Sequence, residues 1–218
     1  MKLQLISFDL DGTLVDTAAE IAEAVNRALV SCGHAPRAPD DIKRLIGAGA
    51  HELMRRLFEG APPPDIEALL ASFDHHYAAL AGSNARPYPG CAAALTQLRD
   101  AGLQLACVTN KERAHAARVL SATALDGYFT QLIGGDTLPW KKPDARVLRH
   151  LARQTGVAVE RCAHLGDSAT DVAAARNAGF AAWAVPYGYN AGVPIEHALP
   201  ERLFATLADV AQHVLCAR

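Results

Sequence analysis

Four short stretches combine acids, hydroxyls and amines in patterns that could do chemistry: Asp9-Leu10-Asp11-Gly12-Thr13, Thr109-Asn110-Lys111, Lys141-Lys142-Pro143-Asp144 and Gly166-Asp167-Ser168-Ala169-Thr170-Asp171. Brought together, they would set several carboxylates around an ammonium. Two unit charges about 4 Å apart repel by about 4 kcal/mol at an effective dielectric of about 20, so such a gathering calls for something positive among the acids. Carboxylate oxygens suit a hard cation, and magnesium favours one or two carboxylates plus a substrate phosphate. A phosphate dianion approaching Asp9 would add to the repulsion, which a metal ion and Lys142 would offset. The pattern reads as a phosphoryl-transfer site rather than an apolar ligand pocket.

The elements that must position these residues follow from the apolar periodicity. Leu3 to Phe8 is a short apolar run stopped by the Asp-rich turn, which predicts a strand. Past residue 90, helical patterns (Ala92–Ala101, Glu112–Leu120, Ala145–Gln154, Ala169–Ala178) alternate with apolar runs (Leu103–Val108, Gln131–Ile133, Cys162–Leu165, Ala181–Val185). Such alternation predicts a parallel sheet with helices on both faces, which Leu3–Phe8 must join because a lone strand is not stable. Ligands of open parallel sheets bind at the carboxyl ends of the strands. The polar stretches fall at those ends, with Lys142 in the loop after the third run.

Between the first strand and the rest, Thr17 to Gly82 is helical throughout. Thr17 with Glu20 predicts a capping box, after which Ile21, Ala24, Val25, Ala28, Leu29 and Cys32 recur at helical spacing. A second helix is expected from Pro36 and Pro39 through Ile42, Leu45 and Ile46. A third holds Leu53, Met54, Leu57 and Phe58, and a fourth runs from Ile66 to Leu80, after the break at Pro62-Pro63-Pro64. The expected organisation is a catalytic core of residues 1–16 plus 83–218 and a helical cap of 17–82, hinged near Asp16 and near Arg86 to Gly90. Gly47-Ala48-Gly49 does not follow a strand, which argues against a nucleotide-binding loop. It is expected instead to be a cap loop over the site.

Composition narrows the class. The 218 residues carry a net charge of −2 with no run of either sign, which argues against a nucleic-acid surface. No stretch approaches the ~18 apolar residues of a membrane span. The five scattered cysteines form no C-x-x-C pair and read as buried thiols in a reducing compartment. A cytoplasmic protein is expected, a monomer or homodimer, acting on a small phosphorylated metabolite without a membrane or nucleic-acid partner.

Asp9-x-Asp11-Gly12-Thr13, Thr109, Lys142 before Pro143, and Gly166-Asp167-Ser168 with Asp171 resemble, in order, the four motifs of the haloacid dehalogenase superfamily. Arg86-Pro87-Tyr88-Pro89-Gly90, Thr109-Asn110-Lys111, Gly134 to Pro139 and Tyr187-Gly188-Tyr189-Asn190 extend the likeness toward its bacterial phosphoglycolate phosphatases. Ala145, and Ala18-Ala19-Glu20 at the cap entry, depart from the usual pattern. The resemblance implies an α/β fold with a Rossmann-like parallel-sheet core and an inserted helical cap. It also implies a Mg2+-dependent phosphatase acting through a phosphoaspartate, with 2-phosphoglycolate as substrate.

By the same resemblance Asp9 is the nucleophile and Asp11 the general acid and base. Thr109 and the Asn110 amide hold the phosphoryl oxygens, Gly12 allows the turn beneath them, and Lys142 neutralises charge. Asp9, Asp167 and the Asp11 carbonyl hold the metal, while Asp171 either joins them or braces the loop. Lys111 and Arg55 are candidates for a substrate carboxylate. Two alternatives stand beside this reading: another sugar-phosphate phosphatase or phosphomutase on the same scaffold, and a phospho-acceptor module that does not turn over.

Overall fold

Strand β1 (Leu5–Phe8) is buried along its whole length, as a central strand covered on both faces must be. The computed structural model describes residues 2–62 and 64–216. After β1 the chain forms β2 (Val15–Asp16) and four helices, α1 (Ala18–Ser31), α2 (Pro39–Lys43), α3 (Ala50–Leu57) and α4 (Ile66–Leu80). It then returns through β3 (Arg86–Pro87) to α5 (Cys91–Asp100), β4 (Gln104–Val108), α6 (Arg113–Ala122), β5 (Gln131–Ile133) and α7 (Ala145–Thr155). Next come β6 (Cys162–Gly166), α8 (Ala169–Ala178), β7 (Ala181–Ala184), β8 (Arg202–Leu203) and α9 (Leu207–Cys216).

Six strands pair in the order β5-β4-β1-β6-β7-β8, all parallel. The expected α/β architecture is what the chain adopts. The period of two along each strand sorts the core. Ile6, Phe8, Leu105, Cys107, Leu165 and Trp183 face one apolar cluster, shared with α5, α6 and α9. Leu5, Ala106, Val108, Cys162, Ala182 and Ala184 face the other, shared with α7 and α8. Helix ends follow local chemistry: α7 starts where Asp144 accepts from Arg146 N at 2.8 Å and ends at left-handed Gly156.

The helices between β2 and β3 pack on one another, with Val25, Ala28 and Leu29 of α1 in the same cluster as Leu69, Phe73 and Tyr77 of α4. Both connections to the core are paired: β2 and β3 form an antiparallel ribbon, Val15 opposite Pro87 and Asp16 opposite Arg86. Two expectations change here, and a third lies partly outside the described residues. Helix α2 stops at Lys43, leaving Leu45 and Ile46 in turns before Gly47 and Gly49, whose φ of 128° and 90° no helix accommodates. The expected break at Pro62-Pro63-Pro64 includes Pro63, outside the described residues. Cys91, Cys107 and Cys162 are buried, but Cys32 is only half-buried and Cys216 exposed.

The expected capping box is absent. Thr17 precedes α1 but makes no side-chain cap. Glu20 instead turns inward, 1% exposed, and accepts from Tyr77 Oη at 2.9 Å, Gly82 N at 3.1 Å and Asn84 N at 3.2 Å. One carboxylate thus ties the start of the helical block to its end. Glu20→Ala leaves three donors without an acceptor, on buried Tyr77, half-buried Gly82 and exposed Asn84, at about 1–3 kcal/mol for each that water cannot reach. Thermal unfolding should show a loss of several degrees, against almost none for Glu23→Ala, whose 2.5 Å pair with Arg27 is half exposed. Equal small losses in both would refute the tie.

Candidate active site

The sheet order explains why distant residues meet. Strand β1 lies between β4 and β6, so the connections leave it in opposite directions and open a crevice at the carboxyl edge. Asp9 follows β1 and its N–H donates to Leu165 O at 2.9 Å. Thr109 follows β4, donating its N–H to Ile133 O at 2.9 Å. Asp167 follows β6. Gly12 turns the chain beneath them with φ at 83°, and a Cβ there would overlap Asp167 Oδ2, so glycine is required twice over.

Lys142 is the hub. Its buried ammonium donates to Val108 O at 2.8 Å and Asp171 Oδ1 at 2.7 Å, and lies 2.9 Å from Asp9 Oδ1. Burial alone would disfavour its charge, but Asp171 and Asp9 outweigh that and hold its pKa above the usual lysine value. The Asn110 side chain clamps the Lys142 backbone, accepting from its N–H at 2.9 Å and donating to its carbonyl at 3.0 Å. This side-chain clamp is additional to the backbone-amide contact expected of Asn110.

Asp171 is also fully engaged. Oδ1 takes Lys142 and His164 Nε2 (3.2 Å), while Oδ2 accepts from Ser168 N at 3.1 Å and Oγ at 2.6 Å in a capping box that starts α8. Burial pushes its pKa up, but Lys142 and His164 prevail and hold the carboxyl well below the usual range.

Asp11 accepts from Thr17 Oγ1 at 2.6 Å and from Lys111 Nζ at 2.9 Å, with its second oxygen 2.8 Å from the same ammonium. Thr17 therefore serves Asp11 rather than the helix. Lys111 also lies over the Tyr77 ring, 4.7 Å from its centroid. Asp9, Asp11, Thr109, Asn110 and Lys111 line a small cleft whose other wall is Ile21, Ile46, Gly47, Gly49, Ala50, Leu53, Phe73 and Tyr77 of the helical block. Arg55 does not line it; it is paired with Glu52 at 2.7 Å, with both side chains well exposed.

The acids fit a hard cation. Oxygens of Asp9, Asp167 and Asp171 come within 4.8 Å of one another. Asp9 Oδ1, despite its ion pair, has no hydrogen-bond partner among the described residues. Burial first, then Asp171 and Asp11, raise the Asp9 carboxyl to about 7 against the pull of Lys142. Burial with Asp171 and Asp9 raises Asp167 well above the usual carboxylate range. Such acids ionise together only with positive charge among them.

Two further sets of residues, to which the sequence assigns no role, support the acids. Asp167 Oδ2 accepts from Tyr189 N at 2.6 Å, and the Tyr189 hydroxyl donates to Asp16 Oδ1 at 2.7 Å while accepting from Thr17 N and Ala18 N. Tyr189 thus joins the acid cluster to the ribbon and to the start of α1. His164 contacts Ser7 Oγ through Nδ1 at 2.9 Å. A carboxylate only accepts, so Nε2 donates to Asp171; burial lowers the His164 pKa and favours the neutral ring, whose Nδ1 then accepts from Ser7. A signal existed: Ser7 and His164 interrupt apolar strands, and they are paired in register.

The sequence profile described as haloacid dehalogenase-like hydrolase matches residues 6–185. A phosphoglycolate phosphatase of Agrobacterium fabrum is 39% identical over 90% of this chain and 86% of its own length. A plasmid-borne phosphoglycolate phosphatase of Cupriavidus necator is 42% identical over 84% of this chain and 81% of its own. The crystal structure of a predicted phosphoglycolate phosphatase from Haemophilus somnus superposes with a TM-score of 0.92 at 30% identity, covering 98% of each chain. With an acid cluster at the switch point and likeness along nearly its whole length, this chain belongs to the haloacid dehalogenase-like hydrolases.

Proposed function

We propose that the protein is a magnesium-dependent phosphatase that hydrolyses 2-phosphoglycolate to glycolate through a phosphoaspartate on Asp9. The observation that carries this reading is the pairing of Asp9 with the buried Lys142 at 2.9 Å, while Asp9 itself lines a small cleft together with Asp11 and Thr109. Relatives named phosphoglycolate phosphatase support the substrate.

In this reading an Asp9 oxygen attacks phosphorus as the bond to the ester oxygen breaks, and Asp11 gives that oxygen its proton. Water then attacks the aspartyl phosphate, Asp11 takes back a proton, and phosphate leaves with Asp9 restored. Thr109 and the Asn110 amide hold the phosphoryl oxygens, Gly12 leaves them room, and Lys142 offsets the charge gathering on Asp9. The carboxylates of Asp9 and Asp167 and the Asp11 carbonyl would hold the Mg2+, which supplies charge neutralisation when bound. Asp171 adds its charge to that set, and its saturated oxygens favour the bracing role, holding Lys142, over direct ligation. Residues 17–82 act as a cap on the core of 1–16 and 83–218, closing about the β2–β3 ribbon to exclude water.

The test is phosphate release from 2-phosphoglycolate and a panel of sugar phosphates, with Mg2+ and with EDTA. Preference for 2-phosphoglycolate, abolished by EDTA, is the expected result. Activity peaking on another ester would overturn the substrate. Stoichiometric phosphorylation without turnover would overturn the enzyme and favour a phospho-acceptor.

A further inference from the structure

We propose that Lys111 selects the substrate, by pairing with a carboxylate one methylene away from the ester oxygen that is cleaved. The inference rests on the phosphatase reading and deepens it.

Among the described residues lining the cleft, Lys111 supplies the one cationic side chain; the charged residues beside it are Asp9, Asp11 and Glu112. A substrate bringing a carboxylate as well as a phosphate into that company needs a cation of its own. Lys111 is 7% exposed, so its charge is screened little by solvent. Its ammonium has three protons, and its only hydrogen-bond acceptor among the described residues is Asp11. At least one N–H is therefore left for a ligand. The Tyr77 ring, 4.7 Å away, steadies the cation without competing as an oxygen acceptor. Tyr77 is itself fixed, its hydroxyl donating to Glu20 at 2.9 Å and its ring stacked on Phe73 at 5.2 Å.

Reach decides which carboxylate fits. Asp11, in the role proposed above, touches the leaving oxygen, and Lys111 Nζ lies 2.8 Å from an Asp11 oxygen. The ammonium is thus about one hydrogen bond beyond the ester oxygen, where the carboxylate of a 2-phospho-oxyacetate falls. The apolar wall of Ile21, Ile46, Leu53 and Phe73 offers the polyol of a longer sugar phosphate no partner.

The experiment compares kcat/KM for 2-phosphoglycolate with that for 2-hydroxyethyl phosphate, the same ester with an alcohol in place of the carboxylate. Any damage that a Lys111 variant does through Asp11 affects both esters and cancels in the ratio. The wild-type protein should prefer 2-phosphoglycolate, and Lys111→Met should cut that preference roughly 30- to 1,000-fold, mainly through KM. Lys111→Gln, which keeps a polar tip, should cut it too and serves if the Met variant does not fold. An unchanged ratio, with both esters slowed equally, would overturn the inference and leave Lys111 as an Asp11 partner only. Hydrolysis of both esters by the wild type without preference would also overturn it while leaving the phosphatase reading intact. Hydrolysis of neither would sink that reading itself.

Discussion

Asp9→Asn should lower kcat for phosphate-ester hydrolysis on the order of 10⁴-fold or more while leaving the fold intact. The amide has the carboxylate's shape but not its nucleophilicity, and no other described acid stands beside Lys142 with an oxygen free. Asp171, the other partner of Lys142, has both oxygens committed to hydrogen bonds. The stability consequence has a definite sign. The Asp9 carboxyl rises from 3.8 to about 7 on folding, so the folded, metal-free chain binds more protons than the unfolded one across that window. Its stability therefore falls as pH rises from about 4 through about 7. The Asn variant lacks this contribution. With EDTA present, its melting temperature relative to wild type should climb between pH 5 and pH 8. A variant that keeps a tenth of wild-type kcat would remove Asp9 from the mechanism.

Metal removal is the second large effect. EDTA should abolish turnover, and Mg2+ should raise the melting temperature more at pH 8 than at pH 5.5. Below about 7 the ion must displace the proton on Asp9. The raised carboxyl of Asp167 adds to the same trend. Each displaced proton weakens apparent affinity about tenfold per pH unit. Asp167→Asn should lose most of the shift at both pH values, although its amide oxygen can still accept from Tyr189 N, and its NH2 can donate to Thr13 Oγ1, which lies 3.2 Å from Asp167 Oδ1. A shift independent of pH, or kept in the Asn variant, would show that the ion binds elsewhere.

The sheet and the residues at its edge were legible because apolar runs, polar strand ends and helical periods agree along most of the chain. Strand order was not legible from periodicity, since nothing in the pattern of Leu5–Phe8 says that it pairs with both β4 and β6. The reading of Thr17 and Glu20 failed for a related reason. A local S/T-x-x-E pattern predicts a reciprocal cap, but both side chains found better partners far along the chain, Glu20 on Tyr77 and Gly82, Thr17 on Asp11. Asp171 shows the converse: Ser168 lies three residues before it, and the capping box is real. Helix α9 was open to reading, with Leu207, Val210, Ala211 and Val214 at helical spacing and all buried.

The paired ribbon of β2 and β3 makes the helical block exchangeable. The chain leaves the core at Asp16 and comes back at Arg86, residues opposite one another on adjacent strands, about 4.5–5.5 Å apart. To the sheet, everything between them is one long hairpin loop, and the entropic cost of closing a loop grows only logarithmically with its length. A block of another size, entering and leaving through the same doorway, would leave Asp9, Lys142 and Asp167 in place. The strand-end residues, Lys111 among them, and the cleft wall hung above them can therefore diverge separately.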